Sequence, residues 1–447
     1  MGTIMKRILT AMLVLACGPW AVQAADAPEQ LHLQAELLHG ALLSGRQQTT
    51  YLMIKMIPPV VEEDQRAPIN VSIVLDRSGS MTGEKLHKAK LAAKMAIEQL
   101  RDDDLLSVVA YDDVVTVPYP AAKISNRASV QASIQSIRSG GTTALFAGVS
   151  KGAVELRKHH DRRQVNRIVL LSDGIANVGP SSPEQLAELG ESLAKEGIAV
   201  TTIGLGLNYN EDLLTRLAVA SQGNHSFVAE PEQLHEAFVR EFGKGLNVVA
   251  QGLHLVIECA PWVKPVRVLN AKADILEDRV ELEIGQLYSG RKSYLLLEIE
   301  VLPPESQTEN YMGSLAQVQL KYGEMQSGMQ RELLLRVKHE SASDEAQVQA
   351  STNTEVRIAV AQQLGMDQSL QAVRLRDKGT EDEAIKLMLQ NAAFLAREAK
   401  ATGSSMLEEM SRNATREAED FKNRKVWPLQ RKRLQTIQVI RGPGSGY

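Results

Sequence analysis

The chain has 447 residues, of which 44% are hydrophobic and 23% are charged, and its formal net charge is −4 at pH 7. This composition excludes a disordered or fibrous protein, and the length allows two or three globular domains, each with its own core. The slightly acidic balance gives no overall attraction to nucleic acid or to an anionic membrane, so we expect neither as a partner of the whole chain.

The amino terminus has the pattern of a secretory signal peptide over residues 1–24. Two basic residues precede a short apolar run, and Val22-Gln23-Ala24 supplies small residues for cleavage. Because the run is well short of the roughly 20 residues that a spanning helix needs, we expect cleavage after Ala24. The mature protein is then periplasmic or in the cell envelope and has no transmembrane span. An alternative interpretation is a lipoprotein cleavage box ending at Cys17, which would tether the protein to a membrane surface.

Two separate segments, 25–67 and 246–340, alternate apolar and polar residues in short runs separated by turn residues. This pattern is typical of β-strands with one buried face. Each segment alone has too few strands to cover that face. We therefore predict a single β-sandwich assembled from both segments, with the residues between them inserted as another domain.

Residues 68–245 alternate short β-branched runs with helical patterns, which predicts an α/β domain with a doubly wound, mainly parallel sheet. The strands Ile69 to Leu75, Arg167 to Leu171 and Ile198 to Ile203 are nearly continuous apolar runs, as in strands covered on both faces. The runs Leu105 to Tyr111 and Val114 to Val117 indicate a hairpin.

The carboxyl-terminal part of the chain is predicted to be helical over 341–425, with two or three antiparallel helices. Residues 426–447 contain proline and glycine and are predicted to be a flexible tail. A basic cluster overlaps this tail, which we interpret as solvated, with contact to an anionic headgroup or nucleic acid as the alternative. Its members are Lys422, Arg424, Lys425, Arg431, Lys432 and Arg433.

Three loops of the α/β domain carry oxygen donors. Asp76-Arg77-Ser78-Gly79-Ser80 follows the first strand, Gly140-Gly141-Thr142-Thr143 precedes a helix, and Ser172-Asp173-Gly174 follows a later strand. Doubly wound folds bind ligands at the carboxyl ends of their strands, so these loops should converge. Oxygen-only donors suit a hard cation, Mg²⁺ first and Mn²⁺ or Ca²⁺ as alternatives, and do not suit zinc.

These residues and their order resemble the metal-ion-dependent adhesion site of the von Willebrand factor type A family, over about Pro68 to Gly243. The sequence is similar to a secreted bacterial branch, whose relatives are sometimes labelled calcium-activated chloride channel homologues. The resemblance implies a Rossmann-like fold and a partner protein that presents Asp or Glu to the metal. It assigns the metal ligands to Asp76, Ser78, Ser80, Thr142 and Asp173. One departure is Arg77, where the family pattern has an apolar or small residue.

We expect, on this resemblance, an exported metal-dependent protein-binding module with no catalytic or cofactor-binding residues. A structural cell-envelope scaffold with a stabilising metal would show the same sequence. A metal-dependent hydrolase with Asp76 as nucleophile fits less well, because Ser78 stands where that chemistry needs a second carboxylate. Gly204-Leu205-Gly206 lacks the third glycine of a dinucleotide fingerprint.

Overall fold

The computed structural model describes residues 30–174, 176–242, 247–302, 314–423 and 425–440. The predicted signal peptide and Cys17 lie outside these residues. The strands of the described chain are β1 (His32–Leu37), β2 (Ala41–Leu43), β3 (Gln48–Ile57), β4 (Ile69–Asp76), β5 (Leu105–Tyr111), β6 (Val115–Lys123), β7 (Val165–Ser172), β8 (Ile198–Leu205), β9 (His225–Val228), β10 (Val248–Cys259), β11 (Val263–Val268), β12 (Asp274–Leu276), β13 (Arg279–Tyr288), β14 (Ser293–Val301), β15 (Ala316–Glu324), β16 (Gln330–Val337) and β17 (Glu340–Ala342).

The α-helices are α1 (Glu84–Ile97), α2 (Arg127–Ser136), α3 (Leu145–Arg157), α4 (Pro183–Lys195), α5 (Glu211–Ala220), α6 (Leu234–Phe242), α7 (Glu345–Ala350), α8 (Thr354–Asp377), α9 (Glu381–Thr402), α10 (Ser405–Asp420) and α11 (Trp427–Ile440). None of these helices is both long and apolar enough to cross a membrane.

A β-sandwich is built from strands that precede the α/β domain in the sequence and strands that follow it. One sheet has the order β1-β3-β14-β11 and the other the order β12-β13-β10-β15-β16. β3 pairs antiparallel with β14 over nine residues, so the two segments share a sheet. The inner faces of the two sheets form one core, which includes Ile54, Leu255 and Leu297. Because neither segment covers its apolar face alone, the pairing explains how both are buried. The predicted insertion of an α/β domain into a sandwich is confirmed.

The α/β domain has a six-stranded sheet in the order β6-β5-β4-β7-β8-β9. All neighbours are parallel except the hairpin of β5 and β6, as predicted, although β6 extends beyond the predicted end to Lys123. Every residue of β4 and β7 is buried. α1 and α6 pack on one face of the sheet, and α3, α4 and α5 pack on the other. The predicted doubly wound fold is confirmed.

The strand order reverses direction at β4, because β5 lies on one side of it and β7 on the other. The loops that leave the carboxyl ends of β4 and β7 therefore diverge and leave a crevice between them. Such a crevice is where open α/β sheets bind ligands.

The carboxyl-terminal part departs from the predicted flexible tail, 426–447, over residues 427–440, whereas residues 441–447 lie outside the described residues. Trp427 to Ile440 form helix α11, which packs against α5, β9 and α8. Pro428 stands in the first helical turn, where its missing N–H costs no intrahelical bond. Trp427 packs edge-on against Phe421, with 4.9 Å between ring centroids. Tertiary contacts thus order a segment that has few helix signals of its own.

Two members of the basic cluster, Arg431 and Lys432, are likewise held by contacts within the fold. Arg431 forms ion pairs with Glu211, Asp212 and Asp377, and Lys432 forms one with Glu211. The interpretation as a solvated tail was wrong for these two residues. Their charges are neutralised by acids on α5 and α8, which are far away in sequence.

Candidate metal site

The candidate metal site lies at the crevice between the ends of β4 and β7. Asp76 is the last residue of β4, and Ser172 is the last residue of β7. Since these strands are parallel neighbours, the loops that follow them leave the sheet at the same edge. The loop before α3 joins them there, because the Gly79 N–H donates to the Gly141 carbonyl at 3.0 Å.

Three of the predicted ligands, Ser78, Ser80 and Asp173, have side-chain oxygens that form a chain of short contacts. The Oγ atoms of Ser78 and Ser80 are 3.1 Å apart, and Ser80 Oγ donates to Asp173 Oδ1 at 2.7 Å. In an octahedron with metal–oxygen distances of about 2.1 Å, neighbouring ligands are about 3 Å apart. Oxygens at these spacings can contact one small cation together, so this donor set fits a divalent metal ion.

Asp76 is completely buried beneath the loop. Its Oδ1 accepts the Ser78 N–H at 2.8 Å, and its Oδ2 accepts the Ser172 hydroxyl at 2.7 Å. Burial raises the pKa of this carboxyl, and the hydrogen bonds from the two serines oppose that effect. A buried carboxylate without a cation still carries a desolvation penalty. A bound divalent cation would offset this penalty.

The structure places the two adjacent threonines differently, and their positions favour Thr143 over the predicted Thr142 as the threonine of the site. Thr142 is exposed, whereas Thr143 is buried. A Cβ built on Gly174 would lie 3.2 Å from Thr143 Oγ1, 3.6 Å from Ser80 Oγ and 3.7 Å from Asp76 Oδ2. Gly174 therefore borders a small space lined by oxygens, and the hydroxyl that reaches this space is that of Thr143.

Asn177 explains why Thr143 is held in this position. Its Oδ1 accepts the Thr143 N–H at 2.8 Å, and its own N–H donates to the Thr143 carbonyl at 3.1 Å. This pair of bonds fixes the backbone on which the side chain depends. The motif alone does not distinguish two consecutive threonines, so the choice between them depends on this contact between two loops.

Lys85 is a site residue that sequence analysis did not find. It lies in the first turn of α1, and its Nζ forms an ion pair with Asp173 Oδ2. Asp173 is completely buried. The position that we assign to a metal thus already attracts a cation.

Arg77, the departure from the family pattern, pairs with a carboxylate that is not one of the predicted ligands. Its Nη2 donates to Asp112 Oδ1 at 3.1 Å and to the Val114 carbonyl at 3.4 Å. It connects the loop after β4 to the turn between β5 and β6. Within the described ranges, no three or more His, Cys, Asp or Glu side chains are grouped so that they could hold a metal ion.

Comparison with known proteins identifies the domain that carries this site. The family model of the von Willebrand factor type A domain matches residues 70–240. The chain belongs to this family. An uncharacterized protein, sll0103 from Synechocystis sp., is 30% identical over 296 residues, which cover 63% of this chain and 67% of the relative. The uncharacterized protein YfbK of Escherichia coli is 27% identical over 262 residues, 57% of this chain and 45% of YfbK. The chain thus spans about two thirds of the first relative and less than half of the second.

The similarity of fold extends beyond the von Willebrand factor type A domain. A solved von Willebrand factor type A protein from Catenulispora acidiphila has a TM-score of 0.69 at 16% identity, over 94% of this chain and 98% of that one. The sandwich and the helices are therefore shared as well. Domains of this family are commonly metal-dependent interaction modules. Membership of the secreted branch and the chloride channel homologue label remain predictions.

Proposed function

We propose that the chain is an exported, metal-dependent protein-binding module in which an Asp or Glu of a partner protein completes the shell of a Mg²⁺ ion. The protein ligands in this proposal are Asp76, Ser78, Ser80, Thr143 and Asp173. Mn²⁺ or Ca²⁺ would use the same oxygen chemistry. The export of the protein rests on the signal-peptide pattern of residues 1–24 alone.

The observation that carries the proposal is the convergence of oxygens from three loops at an exposed edge of the sheet. Asp76 and Asp173 are buried, while Gly79 and Ser80 above them are exposed. Five protein groups leave at least one of the six positions around Mg²⁺ to an external ligand. The two carboxylates only balance the charge of the ion, so a partner carboxylate is a stronger sixth ligand than water.

A hydrolase with Asp76 as nucleophile is not supported by the contacts of that residue. Both of its carboxylate oxygens accept hydrogen bonds, one from the Ser78 backbone and the other from Ser172. That chemistry also needs a second carboxylate two residues further on, where this chain has Ser78. These contacts instead suit an anion that orients a loop and binds a cation.

The proposal is tested by calorimetric titration of the purified chain with Mg²⁺, using the adjacent threonines as a matched pair. Thr143→Ala should lower the Mg²⁺ affinity at least about tenfold, since even the loss of outer contacts of a metal site typically costs 10 to 100-fold. Thr142→Ala should bind Mg²⁺ like the wild type. Asp76→Ala should abolish binding, while circular dichroism still shows the folded spectrum because the sheet core does not include the site.

Partner binding is then measured by capture from a cell-envelope extract on the immobilised chain, in Mg²⁺ and in excess chelator. A protein retained by the wild type and by Thr142→Ala in Mg²⁺, and lost in chelator or on Thr143→Ala, is the expected result. Equal retention in chelator would contradict the proposal. It would leave a structural envelope scaffold with a stabilising metal as the remaining interpretation.

A further inference from the structure

Lys85 places a positive charge near the amino-terminal end of helix α1, where such a charge is unfavourable. It lies in the first turn of the helix, where the helix macrodipole favours negative charge and disfavours an ammonium group. Its contact with the buried Asp173 compensates for this. Asp173 uses one oxygen for Lys85 and the other for Ser80.

We propose that Lys85 is an internal counter-cation that a metal ion displaces from Asp173, and that the displaced ammonium group then helps to bind the partner's carboxylate. This inference rests on the proposed function, because it assumes that Asp173 contributes to a metal site. It assigns Lys85 two opposite effects: it weakens metal binding and strengthens carboxylate binding.

The charges of the site support both effects. Asp76 and Asp173 contribute two negative charges and Lys85 one positive charge, so the site carries −1 without metal. A Mg²⁺ ion brings this to +1, and one partner carboxylate then neutralises it. Without Lys85 the loaded site would be neutral and would attract a carboxylate less.

Other basic residues near the loop cannot replace Lys85 in this role. Arg77 is bonded to Asp112 and the Val114 carbonyl. Lys88, one turn further along α1, pairs with Glu232 at 3.6 Å. Lys88 is therefore a matched control, because it has the same charge on the same helix without contact to the site.

The magnitude follows from Coulomb repulsion between a divalent ion and an ammonium group a few ångströms away. In water this repulsion corresponds to a factor of about ten to thirty in affinity. The lysine side chain can move away from the metal, which weakens the repulsion. We therefore expect a change in metal affinity near the lower end of this range. Removal of the charge should thus tighten metal binding about tenfold.

The experiment uses the full purified chain and Mn²⁺ as the probe. Calorimetry is performed on the wild type, K85M, K85R and K88M. We expect K85M to bind Mn²⁺ about tenfold more tightly than the wild type, and K85R and K88M to bind it as the wild type does. Thermal unfolding with and without Mn²⁺ should show a larger metal-induced rise in melting temperature for K85M, since tighter binding stabilises the folded state more.

Carboxylate binding is followed on the Mn²⁺-loaded proteins by water proton relaxation during titration with acetate, which displaces bound water. K85M should need several-fold more acetate than the wild type. Mn²⁺ affinity of K85M equal to or weaker than that of the wild type, or an unchanged acetate titration, would overturn the inference and leave the metal-dependent function intact. If the wild type and K85M both fail to bind Mn²⁺, the proposed function fails, and the role of Lys85 fails with it.

Discussion

The docking of α11 on the von Willebrand factor type A domain leads to a quantitative prediction for Lys432→Met. The Lys432 side chain is only 3% exposed and lies between α5 and the Tyr209 ring. Its Nζ donates to the Tyr209 carbonyl at 2.8 Å and forms an ion pair with Glu211. Methionine keeps the length of the side chain and removes both polar contacts.

The expected loss is about 2 kcal/mol in the free energy of unfolding. Hydrogen bonds that involve a charged group contribute about 1.5–3 kcal/mol each. Two effects make the loss smaller than the sum of the two contacts. Methionine has no charge and so avoids the desolvation cost that lowers the pKa of Lys432. Arg431 also remains beside Glu211 and balances the charge of that carboxylate. Arg433→Met is the control, because Arg433 is the adjacent basic residue and is exposed.

The measurement is urea unfolding followed by circular dichroism, together with limited proteolysis after residue 423. Lys432→Met should shift the transition to lower urea and speed cleavage before α11, whereas Arg433→Met should stay within about 0.5 kcal/mol of the wild type, as is usual for surface substitutions. Equal unfolding curves and equal cleavage rates for the two variants would show that the Lys432 contacts do not stabilise the packing of α11.

Two further predictions concern the metal site and pH. Gly174→Ala should reduce Mg²⁺ affinity in calorimetry with little change in melting temperature, since the new Cβ would lie 3.2 Å from Thr143 Oγ1 within the oxygen-lined space; wild-type affinity would show that the metal lies elsewhere. Burial lowers the pKa of His225 from 6.5 to about 3, so the unfolded chain binds more protons below pH 6.5. This residue's contribution to stability is then complete above pH 6.5 and falls by up to about 1.4 kcal/mol per pH unit towards pH 3. His225→Asn should lose less stability than the wild type between pH 6.5 and 4 in urea unfolding, and parallel losses would contradict the prediction.

The sequence by itself determined the architecture and the type of site. The nearly continuous apolar runs of β4 and β7 are typical of strands covered on both faces, and their alternation with helical patterns predicts a doubly wound sheet. Once the strands are parallel, the loops that follow Asp76 and Ser172 must leave the sheet at one edge, because parallel strands end on the same side. The assembly of one sandwich from residues 25–67 and 246–340 was likewise predictable, because neither segment has enough strands to bury its own apolar face.

Only the tertiary structure decided which side chains face one another at that edge and at the carboxyl terminus. The position of Thr143 depends on two hydrogen bonds with Asn177, a residue of another loop, which accepts one and donates the other. Lys85 enters the site because Asp173, distant in sequence, offers a buried negative charge. The basic residues of α11 have the composition of a solvated tail, and they form a packed helix because Glu211 and Asp377 neutralise them. In each case the deciding partner is far along the chain, and the energy of a charged or hydrogen-bonding group depends on that partner more than on its neighbours in sequence.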